Sequence, residues 1–175
     1  MAVRIIWRIE DDCLAPEAKI TIEYTGTDPF RAYKIAKDTM RKVLEVEAMD
    51  FWERDFRWDI SSDPRDFFTR LYVDKGIDSR SRALIEVIMQ GKIPSDPNKE
   101  GRITIQIGGR LRTDYTLETA FQQLPIYRGL IWLYHKIFYN RVRRGYLDMC
   151  NDWIQKLNSA FREVLGISPE ALEKT

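Results

Sequence analysis

Residues 51–60 alternate carboxylates with aromatics: Glu53, Asp55 and Asp59, with Arg57 among them, interleave with Trp52, Phe56 and Trp58. Alternate residues of a strand share a face. The spacing therefore sets three carboxylates side by side, as an acid/base pair or an oxygen-liganded cation requires. Either chemistry also needs unlike surroundings for the carboxylates and a concave site, and the pattern supplies neither. The plainer reading is a solvated sheet face whose charges are answered across strands by Arg70, Arg102 or Arg110. Arg54 falls on the apolar side and marks a pocket, an edge or a register-shifting bulge. Arg54, Trp58 and Tyr72 form the candidate pocket.

His135 is the single histidine and lies in Trp132-Leu133-Tyr134-His135-Lys136. A general base needs a positioned partner, and no serine or cysteine motif accompanies it, so it reads as a packed or surface histidine. Cys13 and Cys150 read as buried reduced thiols, since two cysteines so far apart make no disulfide framework. No metal-ligand spacing is present. The residues 91–101, rich in glycine, proline and aspartate, lack phosphate-loop spacing and join strand to strand. No catalytic residue, metal or cofactor is expected.

The basic run is the stronger interaction signal. Lys136, Asn140, Arg143 and Arg144 fall broadly on one helical side, with Arg141 in the run and Arg128 near it. Such a row can grip phosphate, RNA or an acidic partner, and the neighbouring aromatics can stack on bases. An apolar stripe under a charged face is ordinarily core. Here, however, Leu130, Ile131, Trp132, Leu133 and Tyr134 are consecutive, so apolar groups occupy more than one side of the helix. Part of this segment must be buried twice, inside a large fold or against a partner. Trp132, Tyr134, Lys136, Asn140, Arg143 and Arg144 are the expected partner-binding residues, because Trp, Tyr and Arg dominate contact hot spots. A homo-oligomer or a protein partner is expected ahead of nucleic acid.

The bulk numbers agree with one domain. In 175 residues, 44% are hydrophobic, 31% are charged and the net charge is +1, which argues against disorder and gives no global pull toward nucleic acid. The longest nearly uncharged apolar run, residues 130–139, is broken by His135 and Lys136 and falls short of the roughly 20 residues of a span, so no membrane partner is expected. With no signal-peptide pattern at the start, the chain reads as cytoplasmic. Its many charges and isoleucines suit a thermophile.

The elements follow from periodicity. Residues 3–10 and 18–25 alternate as strands and are expected to pair as a hairpin (3–25). A helix over 28–46 should begin with Asp28 as cap and Pro29 in its first turn. Strands at 51–60, 66–74, 82–90 and 102–112 should form a four-stranded antiparallel meander over 51–112, with Gly108-Gly109 marking a bulge or a close backbone approach. From Thr116 the period turns helical. The 117–165 segment should divide near Pro125 and Gly145, because an unbroken helix from 126 to 165 would be about 60 Å long, more than such a domain can cover. Glycine, serine and proline at 166–169 are a stop signal, and a weak turn is expected to follow.

The fold class is therefore α+β: a hairpin and helix, then a meander packed by long C-terminal helices. At the level of architecture it resembles the helix-grip fold of lipid and hormone binders, which usually places its helices after one strand rather than two. The expected function is a non-enzymatic binding or assembly role for the aromatic and basic C-terminal helices. The alternative is a carrier of a small apolar ligand.

Overall fold

A computed structural model describes residues 5–167 of the chain. The strand expected at residues 3 and 4, residues 168 and 169 of the expected stop, and the turn expected at 170–175 fall outside the described residues; Gly166 of that stop signal is described and ends the last helix with a positive φ of 69°. The fold is α+β: a six-stranded antiparallel sheet and a long C-terminal helix. Strands β1 (Ile5–Asp12) and β2 (Lys19–Thr27) precede helix α1 (Arg31–Leu44). Strands β3 (Phe51–Asp59), β4 (Arg65–Gly76), β5 (Ser81–Ile93) and β6 (Glu100–Leu117) follow. Helices α2 (Pro125–Tyr134) and α3 (Asn140–Leu165) are joined by a π-helical turn, His135–Tyr139.

The expected hairpin does not form. β1 pairs with residues 110–117 of β6, and β2 pairs with residues 100–108 of the same strand. The two strands lie end to end along one edge of β6, and residues 13–18 loop out between them. The physical reason lies at that junction. The Cys13 N–H donates to the Gly109 carbonyl at 2.9 Å, so the loop stays attached to β6 as it passes. Strands β3 to β6 are antiparallel sequential neighbours, in the order β6-β5-β4-β3.

One face of the sheet is apolar. Leu71, Val73, Ile85, Val87, Met89, Ile103, Ile105 and Ile107 are buried beneath α1 and α3. α1 contributes Ala32, Ala36, Met40 and Leu44 at helical spacing. It begins at Arg31, not at Asp28, because Asp28 takes a positive φ of 43° and makes a turn instead of a cap. The opposite sheet face carries ion pairs, among them Arg8–Asp114, Lys19–Glu86 and Arg82–Asp74.

α3 crosses the apolar face where β6 has no side chain. A Cβ at Gly109 would lie 2.7 Å from Ile85 Cδ1, 2.9 Å from Ile154 Cδ1 and 3.3 Å from Cys150 Sγ. The double glycine therefore marks a close approach, as its sequence suggested, and the approaching element is α3. At this point Cys13 and Cys150 are joined by a disulfide, with Cα atoms 5.7 Å apart. The expectation of reduced thiols is corrected. Sequence separation says nothing of the distance between a looped-out strand junction and a helix packed above it.

Two boundaries of the C-terminal segment also differ. Thr116 pairs with Ile6 within β6 instead of capping a helix, because Tyr115 and Leu117 continue the strand alternation. Gly145 lies inside α3 without a break, and the irregularity falls at 135–139.

The disulfide closes a loop of most of the chain, so Cys150→Ser should cost about 2–5 kcal/mol in the absence of reductant. Thermal unfolding of the wild type should become reductant-sensitive, and that of the variant should not. Titration of two free thiols in the folded, unreduced protein would contradict the pairing.

Candidate functional site

The helical segment from α2 into α3 has two faces with different chemistry. Its inner face is a clamp on the end of the sheet. Tyr139, at the end of the π-helical turn, donates to Asp78 Oδ2 at 2.7 Å and shares a 2.6 Å hydrogen bond with Ser81 Oγ. Ser81 also meets Thr113 Oγ1 at 2.9 Å, and both are fully buried. Tyr146 donates to the same Asp78 oxygen at 3.1 Å. Burial pushes the Asp78 carboxyl up, but the Arg80 and Ser81 N–H groups and the two tyrosine hydroxyls outweigh it and hold the carboxyl below its ordinary value. Burial, followed by the effect of the Asp78 charge, raises the Tyr139 hydroxyl to about 12.

Arg143 belongs to the same clamp. It is only 2% exposed, pairs with Asp11 at 2.9 Å and donates to the Ile9 and Leu111 carbonyls. Its expected place in a partner-binding row is therefore corrected. A side chain four residues beyond Tyr139 on the inner side points into the fold. His135 also faces inward, with Nδ1 2.9 Å from the Tyr115 hydroxyl. Burial first, then the nearby Arg143 charge, pushes its pKa down, so the imidazole is a neutral hydrogen-bonding partner near neutral pH.

The outer face is apolar and uncovered. α2 has no buried residue. Ile126 is 79% exposed, Leu130 59%, Ile137 58% and Phe138 65%, with Leu133 and Val142 also exposed. Ile126, Leu130, Leu133 and Ile137 keep the i, i+4, i+7, i+11 spacing of one helical stripe. The π-helical turn accommodates one extra residue. With that residue counted out, Phe138 and Val142 read as i+11 and i+15 and rejoin the stripe. The same turn brings Tyr139 and Arg143 onto the inner row begun by Tyr127, Ile131 and His135. Along one margin of the stripe, Arg128, Trp132, Lys136 and Arg141 succeed one another about a turn apart, and the Lys136 ammonium sits 4.7 Å above the Trp132 ring. Open grooves of about 690 Å³ and 410 Å³ separate α2 from the sheet end, the second lined by Ile5, Ile6, Trp7, Arg128, Gly129 and Trp132.

Of the expected partner-binding residues, Trp132, Tyr134, Lys136 and Arg144 are exposed and Asn140 is half-buried. The stripe residues go beyond the expected set, and their sequence signal is the consecutive apolar run at 130–134. The Ser81–Thr113–Asp78 cluster had no sequence signal, because its members come from two strands and a turn.

The other candidates separate. Register shifts between Glu53 and Asp55, so the bulge at Arg54 divides β3. Trp52 lies on the outer sheet face and Glu53 on the inner one, where it accepts hydrogen bonds from Tyr33 and the buried Thr69. Asp55 pairs with Arg57 at 2.9 Å. The three carboxylates thus do not share a face. Nor do the candidate pocket residues: Arg54 lies over Tyr72, whereas Trp58 packs with Phe30 and Phe67 on the inner side. Among the described residues, no group of three or more His, Cys, Asp or Glu is placed to hold a metal ion. No described helix is long and apolar enough to cross a membrane.

No family model matches the chain, and no curated protein is similar to it. Among solved structures, a protein of unknown function from Staphylococcus aureus is similar over 87% of this chain and 97% of its own, with 7% identity and a TM-score of 0.24. A likeness at that level carries no argument about function.

The clamp predicts a measurable cost. Tyr139→Phe removes the hydroxyl shared by Ser81 and Asp78 and should destabilise the fold by about 1–3 kcal/mol in denaturant unfolding. The lowered Asp78 pKa gives a sign for pH. Its stabilisation is present above the ordinary carboxylate value and is lost as pH falls through the lowered one. Asp78→Asn should therefore be less stable at neutral pH and show a flatter acid limb. An unchanged acid limb would contradict the assignment.

Proposed function

We propose that the chain is a non-enzymatic binding or assembly protein that acts by contact through the outer face of α2 and the π-helical turn. The observation that carries this reading is a ten-residue helix with no buried residue and a row of exposed large apolar side chains. An isolated helix that short is marginal in water, and monomers rarely leave so continuous an apolar surface open. The inner clamp holds the segment in place, so the stripe is presented on a fixed base.

A second reading, a carrier of a small apolar ligand, has two supports. β1 and β2 lie end to end, so α1 effectively follows one interrupted strand that neighbours the last one, the arrangement in which the chain resembles the helix-grip architecture. In addition, the 410 Å³ groove beside Trp7 and Trp132 falls in the size range of ligand sites. The space between sheet and α3 is occupied by core side chains such as Ile85, Ile154 and Phe161. A ligand would therefore sit under α2, not between the sheet and α3.

The contact reading is tested by Leu130→Gln, Leu133→Gln and Phe138→Gln combined. All three residues are exposed, so the variant should unfold within a few degrees of the wild type while losing the wild type's self-association or retention on a surface. A wild type that stays a 20.7 kDa monomer and is retained by no partner or surface would overturn the proposal. So would a variant that fails to fold, because the stripe would then be core.

A further inference from the structure

Charge decides what this face is built to meet. Residues 119–147 contain five cations and no carboxylate, in a chain whose net charge is only +1. Arg143 is spent internally on Asp11. Arg128, Lys136, Arg141 and Arg144 are exposed, and no carboxylate among the described residues pairs with them. Elsewhere the molecule neutralises itself, as the ion pairs of the outer sheet face show. The apolar stripe is thus bordered by positive charge that no carboxylate among the described residues pairs.

We infer that the stripe lies in the surface of an anionic lipid bilayer, with α2 and the π-helical turn in the plane of the interface. This rests on the contact reading and names its partner. An in-plane helix needs an apolar face, cations at its margin and amphipathic aromatics at headgroup depth. Here the apolar face is Ile126, Leu130, Leu133, Ile137 and Phe138, the margin is Arg128, Lys136 and Arg141, and the aromatics are Trp132 and Tyr134. Lys136 lies over the Trp132 ring at 4.7 Å, so cation and indole occupy one level. Residues 125–144 would extend about 30 Å along the interface. The length that rules out a span does not bear on this placement, since a helix lying flat crosses nothing. A second copy of the chain is the weaker occupant. It would bring two acid-free, cation-bearing segments into one interface, where like charges are costly.

The test is co-sedimentation of the full chain with vesicles of phosphatidylcholine alone and of phosphatidylcholine with phosphatidylglycerol, alongside its mass by analytical ultracentrifugation. Retention on the anionic vesicles should be at least ~10-fold tighter than on the neutral ones and should weaken with added salt. Replacing Arg128, Lys136, Arg141 and Arg144 together by Gln should weaken it by ~100-fold or more. The Leu130→Gln, Leu133→Gln, Phe138→Gln variant should not bind, with circular dichroism and thermal unfolding checking that both variants are folded. Trp132 should report the contact by a blue shift in emission that Trp132→Phe diminishes. Equal binding to both vesicle types overturns the inference. A dimer that ignores vesicles and dissociates in the apolar variant overturns it too, but leaves the contact reading standing. A monomer that binds neither vesicle and no other partner sinks both.

Discussion

The close approach at Gly109 organises the molecule. β6 is the one strand that touches both halves of the N-terminal strand pair, and Gly109 sits at the break between them. The absence of a side chain lets Ile154 and Cys150 of α3 come down onto the strand, while the Gly109 carbonyl holds the Cys13 N–H from the side. The disulfide then ties the loop to the helix at the same spot. Any side chain there would meet Ile85 and Ile154 in a packed interior, where overpacking typically costs about 1–3 kcal/mol. Once α3 is seated at this point, the course of the whole C-terminal segment is set.

The rest of the segment follows from its length. Residues 125–165 form a nearly continuous helix of about 60 Å, and the sheet supports only the part around Cys150, Trp153, Ile154, Leu157 and Phe161. The N-terminal third overhangs the end of the sheet and needs its own anchor. The buried hydroxyls of Ser81 and Thr113, with Asp78 behind them, supply it through Tyr139, and Arg143 adds the carbonyls of β1 and β6. In a helix of uniform pitch, the inner row from Tyr127 would drift away from the sheet. The π-helical turn resets the phase, so one irregularity serves both the inner clamp and the outer stripe.

Much of this was legible from local pattern. The antiparallel sheet was readable where strands alternate cleanly, as at 82–90 and 102–112, and the double glycine flagged a close approach. The consecutive apolar residues at 130–134 showed that the helix had more apolar surface than one packing face uses. What could not be read was relational. β1 and β2 each alternate as a hairpin strand would, and nothing local says that their partner residues lie about 70 to 110 positions later. Arg143 looks like its neighbours Arg141 and Arg144. Only the extra residue in the turn at 135–139 rotates it inward to Asp11. The Arg54 bulge likewise reversed the faces of Trp52 and Glu53, and with them the apparent carboxylate row.

A helix of about 60 Å exceeds what the sheet can cover, and the sequence predicts a break at Gly145. The chain instead keeps the helix through Gly145, where no packing demands a bend, and lets the excess project. A projecting helix in water would ordinarily be polar on its free sides, because nothing repays the exposure of apolar groups. This one carries large apolar side chains there, and no carboxylate among the described residues pairs with its exposed cations. Core packing does not account for that composition, since α2 has no fully buried residue. Solubility does not account for it either, since mixed charge serves that end on the outer sheet face. The proposed contact, with an environment that is apolar at depth and negative at its edge, would account for both features.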